Sequence, residues 1–244
     1  MITQGLQDVC EVGQRQLMQM EYIQAERTLA AAEQQAWQQR DFDTLARLYM
    51  PLQEARRQRR QRCGDGMVCL DLIADGPTDE IQGRHVVENY PFGQLLVAGW
   101  GNIEPAKQVR QLADEHDLYV ETFLGAVYPT REGNVIVLVP RESDTLPAIN
   151  GYSVESLSKL LPPHCLVLRE GEIVPGVRRG TAETYCQVMA IWERLHRPFL
   201  EAADLLSDPI RKIEAYRRTI RVDYACELAH QRLADVARQL ARAT

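Results

Sequence analysis

Apolar residues recur at three- and four-residue spacing from about residue 4 to 62, and this periodicity predicts helix throughout. Two breaks divide the run, one near residues 19–21 and one at Arg40-Asp41-Phe42-Asp43, where Asp41 is placed to cap a new helix. Three helices follow, over about 4–18, 21–39 and 42–62. Pro51 sits inside the third and is expected to kink it, because proline removes a backbone donor and crowds the preceding turn. Small and large apolar positions alternate in a fixed order: Val9, Val12, Gly13, Tyr22, Ala25, Leu29 and Ala32. Small residues let two helices approach closely, and large ones fill the adjacent hollows.

The pattern changes at Cys63-Gly64-Asp65-Gly66. From there to about residue 179, glycine and proline are frequent, and short β-rich runs lie between turn signals. Residues 67–73 alternate in part. Residues 84–88 and 94–98 flank Asn89-Tyr90-Pro91-Phe92-Gly93 as a hairpin would. A helix is predicted over 104–115, with Pro105 in the first turn. Residues 118–127 and 134–139 make a second hairpin, residues 154–160 a short helix before Pro162-Pro163, and residues 165–169 with 172–174 a last hairpin turning at Glu170-Gly171.

Helix returns at Thr181, opened by Thr181 and Thr184. Its apolar stripe is Val188, Ile191, Trp192, Leu195, Phe199 and Ala202. Ser207-Asp208-Pro209 is a capped restart, and residues 222–224 mark one more turn. Ile213, Tyr216, Ile220, Leu228, Ala229, Leu233 and Ala234 repeat the small/large order of the first hairpin. The expected fold is therefore α+β: a small, mostly antiparallel α+β module at 64–179, framed by antiparallel helical hairpins at 1–63 and 180–244 that pack on each other.

The terminal helices resemble the tetratricopeptide repeat. Val12-Gly13 stand at that family's Leu-Gly pair, Tyr22 at its aromatic near the turn, and Ala25, Leu29 and Ala32 at the Ala, large apolar and Ala positions of its second helix. Leu45, Tyr49 and Leu52 resemble another second helix, and residues 213–220 with 223–225, Leu233 and Ala234 resemble a second helix running into the next first helix. Val9, Gln16 and Trp37 stand where the family has Trp, Tyr and a closing Pro. Such repeats need about three copies for a continuous core, and neither end holds three, so the two ends are expected to pack together or on another chain. The resemblance implies a surface that binds peptides.

With 244 residues, 45% hydrophobic and 25% charged, the chain has the make-up of an ordinary globular protein. A net charge of −6 argues against nucleic acid as the main partner. No stretch approaches the ~20 apolar residues of a membrane span, and residues 1–8 lack the basic head and apolar run of a secretory signal, so no membrane association and a cytoplasmic location are expected. The six cysteines are scattered, with no C-x-x-C pair and no histidine at zinc spacing. Cys10, Cys186 and Cys226 lie among apolar residues and read as buried free thiols.

Several residues are candidates for chemistry. Gly99-Trp100-Gly101-Asn102 lies between a predicted strand and helix, where glycines let backbone approach a ligand and free helix-start amides attract anions; the third glycine of a dinucleotide fingerprint is missing. Arg56, Arg57, Arg59, Arg60 and Arg62 form the most basic run, suited to an acidic partner or to phosphate, and also to the negative end of their own helix dipole. Asp71, Asp75, Asp79 and Glu80, with His85 beyond, gather near a turn without EF-hand spacing. No G-x-S-x-G elbow exists, and the adjacent His164-Cys165 pair points to opposite faces of a strand. No catalytic residue, metal or cofactor is expected. The pattern points to a non-enzymatic protein-interaction or scaffold protein that binds a protein or itself, with a small-molecule or anion-binding α+β domain as the alternative.

Overall fold

The computed structural model describes residues 5–169 and 171–243, and divides into two compact units. One comprises, of the described residues, 5–60 with 196–243, the other 61–169 with 171–195. The fold class is α+β.

In the helical unit, α1 (Leu6–Met18), α2 (Tyr22–Gln39) and most of α3 (Phe42–Asp65) join the end of α7 (Ala182–Asp204), α8 (Pro209–Val222) and α9 (Glu227–Ala243). The boundaries follow local chemistry. Met20 and Arg40 take left-handed backbone just after α1 and α2. Asp41 Oδ1 accepts from the Thr44 amide at 3.0 Å, and Asp208 accepts from the Arg211 amide at 2.7 Å, so both restarts are capped as their sequences predict. Ala25, Leu29, Ala32 and Ala36 make one buried face of α2, and Ala229, Leu233 and Ala237 make the matching face of α9. Both faces enter a single core that also contains Leu45, Tyr49, Leu52, Ile213 and Tyr216, so segments far apart in the chain fold together. Pro51 and Pro198 both lie inside continuous helices.

In the α+β unit, six strands make one mixed sheet of order β5-β4-β3-β2-β1-β6: β1 (Met67–Ile73), β2 (Phe92–Trp100), β3 (Tyr119–Thr130), β4 (Gly133–Leu138), β5 (Leu166–Arg169) and β6 (Arg178–Arg179). The β3–β4, β4–β5 and β1–β6 pairings are antiparallel, while the central β1–β2 and β2–β3 pairings are parallel. Parallel neighbours need crossovers, which α4 (Gly83–Asn89) and α5 (Glu104–Glu115) supply. Val86, Val87, Ala106, Val109 and Ala113 of these helices pack on Cys69, Leu95, Val97, Val120 and Leu124 of the sheet. Trp192 of α7 lies on Phe123 of β3, with ring centroids 4.3 Å apart. The short α6 (Val154–Leu160) is where its sequence places it.

Three expectations need correction. Residues 84–88 are helix, not strand, and residues 89–93 are not a hairpin loop: a run as short as His85-Val86-Val87 has no diagnostic period, and the crossover between parallel strands selects helix. Residues 172–174 form no strand; β5 pairs with β4, and the sheet continues at its far edge with β6. Glu170 of the expected turn lies outside the described residues. Cys186 is exposed, whereas Cys10 and Cys226 are buried as expected.

Candidate functional site

The basic run that ends α3 faces inward. Arg56, Arg59 and Arg60 share one helix face through their three- and four-residue spacing. Arg56 Nε donates to Glu26 Oε1 at 3.1 Å, and Arg59 binds the other oxygen of the same buried carboxylate. Burial pushes Glu26 up, but the charges and hydrogen bonds of Arg56 and Arg59 outweigh it and hold the carboxyl below its ordinary value. Arg60, 2% exposed, reaches Asp223 Oδ1 at 2.7 Å. The Arg59 and Arg60 guanidiniums lie 5.3 and 5.0 Å from the Tyr224 ring centroid. Arg57 pairs with Glu54 on the half-exposed side, and Arg62 is exposed. The structure therefore directs Arg56, Arg59 and Arg60, three of the five arginines expected to meet a partner or phosphate, onto buried acids within the helical unit.

Asp223 is the centre of this arrangement. It is fully buried, in the turn between α8 and α9. Oδ2 lies 2.6 Å from Nδ1 of His196, and Oδ1 also accepts from the Ala225 amide at 3.1 Å. Burial raises the carboxyl, but the Arg60 charge and the hydrogen bonds from His196 and Arg60 hold it at about 2. Burial lowers His196, but hydrogen bonds to Asp223 and Cys226 push it up to about 9. The result is a carboxylate between two cations.

His230 is the opposite case. Nδ1 lies 2.8 Å from the Cys226 carbonyl, and Nε2 lies 3.0 Å from Arg56 Nη1. A carbonyl only accepts and a guanidinium only donates, so Nδ1 carries the proton and Nε2 accepts. Burial and the Arg56 charge lower its pKa to about 3, which keeps the ring neutral. Nearby, Glu33 accepts from Tyr49 at 2.9 Å and pairs with Arg217 at 2.8 Å, while Arg217 lies over Trp37.

Two chemistries share this donor set. His196, Asp223 and Cys226 place one ligand-type atom each within 4.8 Å of one another, the only such group of three among the described residues. A thiol, an imidazole and a carboxylate suit zinc, and in the order Cys–His–Asp they also suit an activated nucleophile. The surroundings disfavour both. A dication would sit against the carboxylate that already holds Arg60, and would have to displace the proton His196 shares with it. All three side chains are buried, which denies a substrate access to the sulfur. The geometry is that of an ionic brace between α3, α7 and the α8–α9 turn.

The other expected sites are internally satisfied. Gly101, at φ 67°, donates its amide to the Val127 carbonyl at 2.9 Å. Asn102 Oδ1 accepts from the Glu104 amide at 3.1 Å, and Nδ2 donates to the Trp100 carbonyl at 3.0 Å. A Cβ on Gly99 would fall 2.8 Å from the Asn102 carbonyl oxygen, so the glycine serves the chain's own close approach. Trp100 is half-buried. Gly99, Trp100, Gly101 and Asn102 thus form a self-filled strand-to-helix turn. Asp71 accepts from the Cys69 thiol and the Gly176 amide, Asp79 from the Asp75 amide, and no metal-ligand group includes them among the described residues. Burial, with the Asp144 charge, pushes the Cys165 thiol up to about 12, which makes it a poor nucleophile beside His164.

Sequence reasoning missed Glu26, His196, Asp223 and His230. The usable signal was the face shared by Arg56, Arg59 and Arg60: three cations that continue, at three- and four-residue spacing, the apolar stripe of Leu45, Tyr49 and Leu52 require buried acids elsewhere. No family model matches the chain, and neither a curated protein nor a solved structure resembles it.

Proposed function

We propose that the chain is a non-enzymatic interaction protein whose helical unit holds a protein partner or a second copy of itself. The observation that carries this reading is the exposure of large apolar side chains on the surface of the helical unit. Met18 and Met20, two residues apart at the α1–α2 turn, are 76% and 63% exposed. Met50 and Leu205 of the same unit are also exposed. Methionine is an adaptable contact residue, and clustered exposed apolar groups mark interaction surfaces. The likeness to tetratricopeptide hairpins supports the same reading, as does the consumption of the ionisable centre in an internal brace. Six thiols without disulfides support a reducing, cytoplasmic setting.

The test is a light-scattering and affinity-capture comparison of the native chain with Met18→Ser/Met20→Ser. The expected result is a self-complex or captured partner whose affinity falls about tenfold or more, roughly 1.4 kcal/mol, in the double variant, with the helical circular dichroism unchanged. A native chain that stays monomeric and captures nothing, or a complex indifferent to both substitutions, rejects the reading.

A further inference from the structure

One face of α7 forms the wall of a cleft in the α+β unit. Gln187, Ala190, Ile191 and Arg194 follow at three- and four-residue spacing, so they share that face over two turns. Leu70 of β1 lines the cleft with Glu172 and Val174, which come from the segment between β5 and β6. The space is about 240 Å³, room for about eight waters at ~30 Å³ each. Leu70 and Ile191 are buried and Ala190 and Val174 are exposed, so apolar surface continues from the base of the cleft to its opening.

The charged groups that line it stand together. Arg194 Nη1 meets Glu172 Oε1 at 3.3 Å, a single long contact between side chains that are 43% and 40% exposed. The other Glu172 oxygen accepts from the Arg169 amide at 2.8 Å, so the carboxylate is positioned by its own segment as well as by Arg194. An ion pair this exposed contributes little, and separating it costs little. An apolar cleft therefore offers a cation and an anion side by side, each able to take a new partner.

We propose that the cleft binds a free apolar α-amino acid, with its carboxylate on Arg194, its ammonium on Glu172 and its side chain along Leu70, Val174, Ala190 and Ile191. Neighbouring opposite charges select a zwitterion, because a plain carboxylate or a plain amine meets one partner and one like charge. The apolar lining selects the body. This assignment is independent of the interaction reading above, since it concerns the other unit.

Calorimetric titration of the full chain tests it with leucine, with 4-methylpentanoate and isoamylamine, which each keep the apolar body and one of the two charges, and with glycine, which keeps both charges and lacks the body. Leucine is expected to bind with Kd on the order of 0.1–1 mM, and each of the other three about tenfold or more weaker. Arg194→Gln and Glu172→Gln should each weaken leucine about tenfold or more. Glu172→Gln should at the same time leave 4-methylpentanoate bound as well as before or better, since its like charge is gone, a reversal that a merely unfolded variant does not produce. Ala190→Leu, which fills the cleft and leaves both charges in place, should weaken leucine without either of these changes. Leucine bound no better than its singly charged analogues, glycine bound as tightly as leucine, binding indifferent to Arg194→Gln, Glu172→Gln or Ala190→Leu, or no binding of leucine or valine at ~10 mM overturns the assignment.

Discussion

Asp223 holds a carboxylate in a place where a carboxylate is expensive, and it does so because Arg60 and His196 reach its two oxygens at 2.7 and 2.6 Å. Taking one member from such a cluster leaves the others charged and without compensation. Asp223→Asn is therefore expected to destabilise the chain by about 3–5 kcal/mol, measured by urea unfolding. In a double-mutant cycle, Arg60→Met should cost much less in the Asp223→Asn background than in the native one, since the guanidinium then has no charged partner to lose. Additive losses would show that the brace is not a coupled unit. Arg56 illustrates the same economy: one guanidinium serves both Glu26 and the neutral ring of His230.

At the scale of elements, the α1–α2 hairpin depends on Gly13. A Cβ there would come within 2.7 Å of Leu29 Cγ and Cδ2, and Leu29 is fully buried with little room to yield. Gly13→Ala gains about 0.5–1 kcal/mol of helix propensity but overpacks the interface by about 1–3 kcal/mol. Net destabilisation of about 1 kcal/mol is expected in chemical denaturation, with Leu29→Val relieving part of it in the alanine background. A gain in stability from Gly13→Ala alone would mean the helices do not depend on that close approach. In the sheet, the equivalent decision belongs to the crossover that carries the seven-residue α4: it sets β1 and β2 parallel, and the register of β2 against β3 continues the same direction.

At the scale of the whole molecule, the brace gives the helical unit a defined response to pH. His196, raised from its ordinary 6.5 to about 9, contributes stability that is complete below 6.5 and lost as pH rises through 9. His230, lowered to about 3, stays neutral where the unfolded chain takes up a proton, so its contribution is complete above 6.5 and declines as pH falls toward 3. Asp223, at about 2, adds to the acid side below 3.8. Stability should peak near pH 6.5 and fall on both sides. Hydrogen exchange is expected to show residues 5–60 and 196–243 loosening between about pH 7 and 9.5 relative to residues 61–169 and 171–195, after correction for intrinsic exchange. His196→Gln should flatten that alkaline limb; an unchanged limb would sink the assignment. Much of this architecture was legible in the chain. Periodicity and caps located α1, α2, α3, α5, α6 and α8, because local contacts a few residues long mark such starts: Asp41 with Thr44 for α3, Asp208 with Arg211 for α8. What local pattern left open was pairing across long separations. The parallel run of β1, β2 and β3, the place of Arg178 beside Val68, and the union of Arg60, His196 and Asp223 depend on which distant segments meet. An arginine run carries the same charge whether it faces solvent or a buried aspartate. Only packing, by removing water and supplying the opposite charge, turned that run into an internal brace.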